Sequence, residues 1–398
     1  MKKVSIFLLS LFFFIYPVYA EEFSITGENV ILYNMNDDKV LYSKNADEIV
    51  EIASLTKMMT ALVTIENTSD LTKEITITEK DFEGTTGYSK AGFKVGDKVT
   101  YEDLLYGILL PSGADAVNAA VNNTLGYEKF ISKMNETAKK IGLNNTKFSN
   151  PIGKDDENNY STASDIAKLL KYALKNETFK RVFTTKSYKT TNGLNLKSTI
   201  SNYDNILQTN KIDGAKSGFT KEAGRCLASI TNLHDVNYLL VVIKSSTEYP
   251  YNAVKDTINI YNYYDENYSY QSILDDDTFI KEIPIKLSNN KSYKITGSEN
   301  ISLYLKNDTK VNYVYEGVDE ISYKTKKGAI LGTIKIYEGE KLLETSIVYL
   351  EENIKYYPLE LCLIILITLI ILIIFILKKV INMKNKKRKR RRRRKWQR

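Results

Sequence analysis

The chain has 398 residues, 43% of them apolar, which sets it apart from disordered sequences and leaves room for two or three folded units. Its net charge of +8 resides at the ends: without the 14 Lys and Arg of residues 378–398, and without Lys2 and Lys3, the remainder carries −8. That acidic body shows no nucleic-acid footprint, while the single histidine, His234, and the two cysteines, Cys226 and Cys362, argue against a zinc site, a Ser-His-Asp triad and a disulfide framework.

Residues 1–20 read as an export signal: Lys2 and Lys3, an apolar stretch from Val4 to about Pro17, then Val18-Tyr19-Ala20 before the cut. The runs 29–33 and 39–42 alternate around Asn34-Met35-Asn36-Asp37-Asp38 and predict a hairpin. Ser54 to about Glu66 has helical spacing, with Leu55, Met58, Met59, Leu62 and Ile65 on or near one stripe. Helices are predicted over 101–110 and 114–122, on either side of Pro111-Ser112-Gly113, and over 127–141 and 164–174. Two adjacent strands, 227–232 and 238–243, meet at a polar break where His234 reads as a turn residue without chemistry. A helix from 253 to about 264 closes the set. The mixed order predicts an α+β domain with a central sheet.

From 275 to 352 short strand-like runs separated by Asn, Gly and Lys turns predict a small all-β module, a spacer before the membrane. Residues 361–377 are apolar apart from Thr368. With Leu359 and Glu360 they make about 19 residues, roughly 28 Å of helix, enough for the hydrocarbon core. Pro358 marks the start. Lys378 and Lys379 follow at once, then the run 386–395, so the body faces outward and the basic tail inward, against anionic lipid.

Three short elements carry chemistry. Ser54-Leu55-Thr56-Lys57 opens a helix, Ser112-Gly113-Ala114 sits between two helices, and Lys216-Ser217-Gly218 begins or lies in a strand. Each is weak alone: Ser288-Asn289-Asn290-Lys291 also fits S-x-x-K, in a turn of the β module. Order and context strengthen the set. On a helix, residues i and i+3 share a face with β-carbons about 5–6 Å apart, so Ser54 Oγ and the Lys57 amine meet. A serine alcohol needs a base, no histidine is placed to serve, and a lysine serves only when neutral. Burial lowers its pKa, and so does a second cation, for which Lys216 is the candidate. A helix N-terminus also disfavours positive charge and aims N–H groups at an oxyanion.

With these elements on the page, the sequence resembles the serine D-Ala-D-Ala carboxypeptidases, the low-molecular-weight penicillin-binding proteins. The resemblance takes in Ala53-Ser54-Leu55-Thr56-Lys57-Met58-Met59-Thr60-Ala61, Asp103-Leu104-Leu105-Tyr106-Gly107, Asn150-Pro151, and Tyr160-Ser161-Thr162-Ala163 with Asp165. It continues through Gly214-Ala215-Lys216-Ser217-Gly218-Phe219-Thr220 and Ala223-Gly224-Arg225-Cys226. It implies a β-lactamase/DD-peptidase-like antiparallel sheet with flanking helices over 21–268, then a β domain over 275–352, a transmembrane helix over 359–377 and a cytoplasmic tail over 378–398. It implies that Ser54 attacks the bond between two D-alanines and that Lys57 takes its proton. Ser112 then shuttles a proton to the leaving group, and Lys216 and Ser217 bind the terminal carboxylate. The N–H groups of Ser54 and Phe219, next to Gly218, form the oxyanion hole. The implied partners are peptidoglycan stem peptides and, as covalent inhibitors, β-lactams. No metal or cofactor is implied.

Three positions depart from the family pattern. Ala114 stands where Asn is usual, removing an amide whose contact is worth about 0.5–3 kcal/mol, a slower enzyme more than a dead one. Ser217 replaces Thr and keeps the hydroxyl, and Ile152 stands where His is frequent. The alternatives are a β-lactamase, with Glu157 the candidate deacylating carboxylate, a wall-binding homologue weakened at Ala114, and a transpeptidase.

Overall fold

The computed structural model describes residues 23–288, 290–355 and 359–396. The export-signal reading and Pro358 lie outside them. The chain divides into two compact units between Asn267 and Tyr268.

In the first unit the expected hairpin forms as β1 (Asn29–Asn34) and β2 (Lys39–Lys44). With β3 (Gly214–Thr220), β4 (Gly224–Leu233) and β5 (Val236–Ser245) it builds one antiparallel sheet in the order β2-β1-β5-β4-β3. β5 is central, and its run Leu239–Ile243 is fully buried, as a strand covered on both faces must be. His234 and Asp235 (φ +46° and +65°) make the two-residue turn between β4 and β5, the positive-φ pair such hairpins need. The His234 ring lies exposed, its Nδ1 2.7 Å from Asp265.

The helices are α1 (Thr56–Glu66), α2 (Tyr101–Leu109), α3 (Ala114–Asn123), α4 (Tyr127–Ile141), α5 (Ala163–Ala173), α6 (Glu177–Thr184) and α7 (Asn252–Asn267). The 3.6-residue stripe suggested an amphipathic α1, yet Thr56 to Thr64 are all buried. The helix runs through the core, each large apolar side chain contributing about 1.5–3 kcal/mol. Its polar residues are satisfied internally: Thr64 Oγ1 donates to Thr60 O at 2.8 Å and Thr60 Oγ1 to Pro151 O at 2.6 Å. Several family-like positions prove to be braces. Asp103 caps α2 together with Thr100 and also accepts from Thr191, while Thr162 caps α5, its Oγ1 accepting from Asp165 N, and the Asp165 carboxylate ties down Asn145 and Thr146. α6 was not anticipated. Asn176 caps it, accepting from Phe179 N at 3.0 Å, and its only buried side chains are Phe179, Val182 and Phe183, too short a stripe to read.

From Tyr268 to Tyr349 the second unit is built of β-strands. Tyr268–Leu274 pairs with Ile301–Lys306, Phe279–Lys286 with Ser292–Thr296 and Ile321–Ser322, and Ile330–Glu338 with Asn312–Gly317 and Lys341–Tyr349. Its own core is small and rich in isoleucine, including Ile283, Ile295, Ile334 and Ile336. The strand Tyr268–Leu274 continues directly from α7, without the turn residues that would have marked it in the sequence. The last element, α8 (Leu359–Lys395), contains a stretch long and apolar enough to cross a membrane.

Candidate active site

The S-x-x-K element sits at the junction of a 3-10 turn (Ala53–Leu55) and α1. Ala53 has φ +46°, a left-handed conformation that a non-glycine residue adopts only under constraint. The constraint is visible: a Cβ on Gly153 would lie 2.0 Å from Ala53 O, and Gly153 itself has φ +80°. Asn150 holds that glycine, its Oδ1 accepting from Gly153 N at 2.8 Å and Lys154 N at 2.9 Å. The loop therefore pushes the Ser54 turn toward the β3 edge. A Cβ on Gly218 would come within 3.0 Å of Ser54 N, so only glycine lets the strand approach this closely.

Lys57 Nζ lies 2.9 Å from Ser54 Oγ and donates to Ile152 O at 2.7 Å. Position 152 thus contributes its carbonyl, which isoleucine supplies as well as histidine would. Burial lowers the Lys57 pKa to about 7, and the Asp115 carboxylate opposes that shift. Lys216 is also wholly buried, and its pKa is pushed well below the usual lysine value by burial first and by Lys57 second. The sequence had named burial and, as a second cation, Lys216 as the two influences that lower the Lys57 pKa. In the structure burial is the first cause for both amines, and the charge effect runs from Lys57 to Lys216.

Ser112 has φ +65° and accepts from Lys216 Nζ at 2.9 Å, so the second and third elements meet. Lys216 Nζ also donates to Ser217 O at 2.7 Å. It therefore lies beneath the cleft rather than on its wall. Ser217 Oγ points to the open side, 2.6 Å from Thr199 Oγ1. Ala114 is fully buried, and its N–H donates to Ser89 O at 2.8 Å. Next to it, Asp115 accepts from Ala91 N at 2.7 Å, Gly92 N at 3.0 Å and Phe93 N at 3.3 Å, fixing a loop over the middle element. Asp115, Thr199 and the Ile152 carbonyl were not singled out in the sequence. Asp115 follows the S-G-A element directly, while the other two gave no signal.

These groups surround a cleft of about 300 Å³ whose wall includes Ser54, Ser112, Ser217, Gly218 and Phe219, with Tyr88 and Ser89 from the clamped loop. A wider groove of about 610 Å³, lined by Lys186, Ser201, Asp204 and Leu207, holds none of the three elements. Among the described residues no group of three or more His, Cys, Asp or Glu side chains is placed to hold a metal ion. Cys226 and Cys362 are both free.

The profile of a known family, described as D-alanyl-D-alanine carboxypeptidase, matches residues 17–247. The chain belongs to this family of serine-type peptidases. D-alanyl-D-alanine carboxypeptidase DacF of Bacillus subtilis is 28% identical over 343 residues, 84% of this chain and 88% of that protein. A D-alanyl-D-alanine carboxypeptidase of Streptomyces is 36% identical over 213 residues, 49% of this chain and 73% of the relative. Penicillin binding protein 5 of Haemophilus influenzae shares the fold at a TM-score of 0.60 and 23% identity, covering 83% of this chain and 98% of that one. Against a DD-transpeptidase of Streptomyces this carboxypeptidase-family chain has a TM-score of 0.55 at 31% identity, over 60% of its length and 97% of the other.

Proposed function

We propose that the chain is a D-Ala-D-Ala carboxypeptidase that trims peptidoglycan stem peptides through an acyl-enzyme on Ser54, with Lys57 as its base. The observation that carries this reading is the 2.9 Å contact between Ser54 Oγ and a buried Lys57 Nζ whose pKa lies at about 7. A substantial fraction of such an amine is neutral near pH 7 and accepts the Ser54 proton as Oγ attacks the carbonyl carbon of the penultimate D-alanine. The N–H groups of Ser54 and Phe219 receive the negative charge that develops on the carbonyl oxygen. Collapse breaks the peptide bond. Ser112, hydrogen-bonded to Lys216, hands its proton to the departing D-alanine nitrogen and is reprotonated by the proton that Lys57 took from Ser54, which leaves Lys57 neutral again. Water then attacks the ester and frees Ser54. Ser217 Oγ takes the substrate carboxylate from the cleft side, and Lys216 beneath it holds Ser112 and the Ser217 carbonyl in place. A β-lactam carbonyl meets the same nucleophile and acylates Ser54.

In this reading residues 21–268 form the catalytic domain and 275–352 a spacer. Residues 359–377 cross the membrane, leaving the basic residues 378–398 on cytoplasmic anionic lipid. Glu157 is exposed and does not line the cleft, which speaks against a β-lactamase. Relatives titled endopeptidase and transpeptidase keep the same acyl step open to other acceptors.

The test is D-alanine release from a peptide ending in D-Ala-D-Ala by the wild type and by Ser54→Ala. Release by the wild type alone supports the reading. Intact β-lactam labelling without release would replace it with a binding role.

A further inference from the structure

A peptidase that removes only a C-terminal residue must recognise a free carboxylate, and burying that charge without a partner costs several kcal/mol. Lys216 does not reach the cleft wall: it is fully buried, and its Nζ is committed to Ser112 Oγ and Ser217 O. Among the described residues that line the cleft, Arg225 is the only charged one.

Its placement is specific. Arg225 lies on β4 directly across from Phe219, and Leu227 directly across from Ser217, so Arg225 is diagonal to the Ser217 hydroxyl on the same face of the sheet. Diagonal neighbours on adjacent strands stand about 7–8 Å apart, within reach of an arginine. The guanidinium carbon lies 3.8 Å from the centre of the Phe219 ring, which fixes its plane against the cleft wall. Its Nε is buried and donates to nothing. Between Arg225 and Leu227 the pairing with β5 slips by one residue, with Lys244 at φ +55°. The extra residue lies on β5, so the bulge bends that strand where it runs beside Arg225.

We propose that Arg225 receives the free C-terminal carboxylate of the substrate, together with Ser217 Oγ, and thereby sets the preference for a terminal over an internal bond. An orphaned Nε–H held on a rigid planar fork is suited to a carboxylate, because the guanidinium presents its N–H groups in a plane that matches the two carboxylate oxygens. Arg225 is thus a specificity residue for the proposed reaction, and the inference rests on that reading.

The test uses the full chain in detergent and two N-acyl-D-alanyl thioesters that differ only in the leaving group, mercaptoacetate or mercaptoacetamide. Each turnover breaks the C–S bond and releases one free thiol, with Ser54 as the acyl carrier and water as the acceptor. The wild type is expected to favour the acid by about 10- to 100-fold in kcat/KM, the range of a charge-assisted hydrogen bond. Arg225→Gln is expected to collapse the ratio to about 1 through loss on the acid, and Arg225→Lys to restore part of it. An unchanged ratio in Arg225→Gln overturns the proposal. So does an equal loss on both thioesters, or a wild type that hydrolyses both equally while the peptidase reading stands. A wild type that hydrolyses neither removes the peptidase reading and this proposal with it.

Discussion

Two tetrads with the same spacing, Ser54 to Lys57 and Ser288 to Lys291, sit in different units of this chain, and only one is built for chemistry. In the first, Lys57 is 1% exposed on a core helix, and its amine meets Ser54 Oγ. In the second, Ser288 belongs to a turn, where its Oγ donates to Lys355 O at 2.5 Å and accepts from Asn290 N at 3.1 Å. Lys291 is exposed. The motif supplies a hydroxyl and an amine in both places. What distinguishes them is burial, which lowers the pKa of one lysine to about 7, and a helical face, which points that amine at the serine.

The largest effect expected from this contrast is at the two serines. Ser54→Ala should abolish covalent β-lactam labelling and lower kcat/KM by at least about 10³-fold, whereas Ser288→Ala should leave both unchanged. Mass spectrometry of the acylated chain decides, and an adduct on Ser54→Ala would break the comparison.

Lys57→Met should be comparably inactive yet more heat-stable near pH 7. The Lys57 pKa falls from about 10.5 unfolded to about 7 folded, so between those values the unfolded chain binds a proton that the folded one does not. Wild-type stability therefore rises with pH across that window, by a few kcal/mol in all, and the penalty is complete below it. Melting curves from pH 6 to 10 should show this slope in the wild type and a shallower one in Lys57→Met. Parallel slopes would mean that the folded amine stays charged.

Activity should fall as pH drops through about 7, where Lys57 takes up its proton. Asp115 raises that pKa, so Asp115→Asn should move the acid limb to lower pH, by up to about one unit. A limb that stays put would place the titrating group elsewhere. The smallest effect expected is at Ala114. Ala114→Asn should speed acylation by at most about tenfold, one hydrogen bond's worth, as read by the rate of labelling. A slower rate would show that the fully buried site around Ala114 has closed over the missing amide.

Much of the fold was legible because its elements announce themselves locally. The hairpin β1–β2 alternates, α4 begins after one glycine and ends at another, and β4 and β5 are long apolar runs around a turn. α6 and the strand Tyr268–Leu274 were not legible. The first has a short stripe, and the second follows a helix without punctuation. At the site, the serines and lysines could be named from spacing, because i, i+3 geometry and strand alternation are properties of the chain itself. The Ile152 carbonyl and Thr199 act through contacts far apart in sequence, for which spacing carries no signal, and Asp115, although it follows the S-G-A element, is tied to a loop 22–24 residues earlier.

The sequence by itself determined the residue types, their order and the helix that brings Ser54 and Lys57 onto one face. Only the tertiary structure decided which lysine loses its charge and why. The pKa of an amine depends on how much water remains around it, and that is set by α1 passing through the core and by β3 closing on it at Gly218, not by its neighbours in the chain.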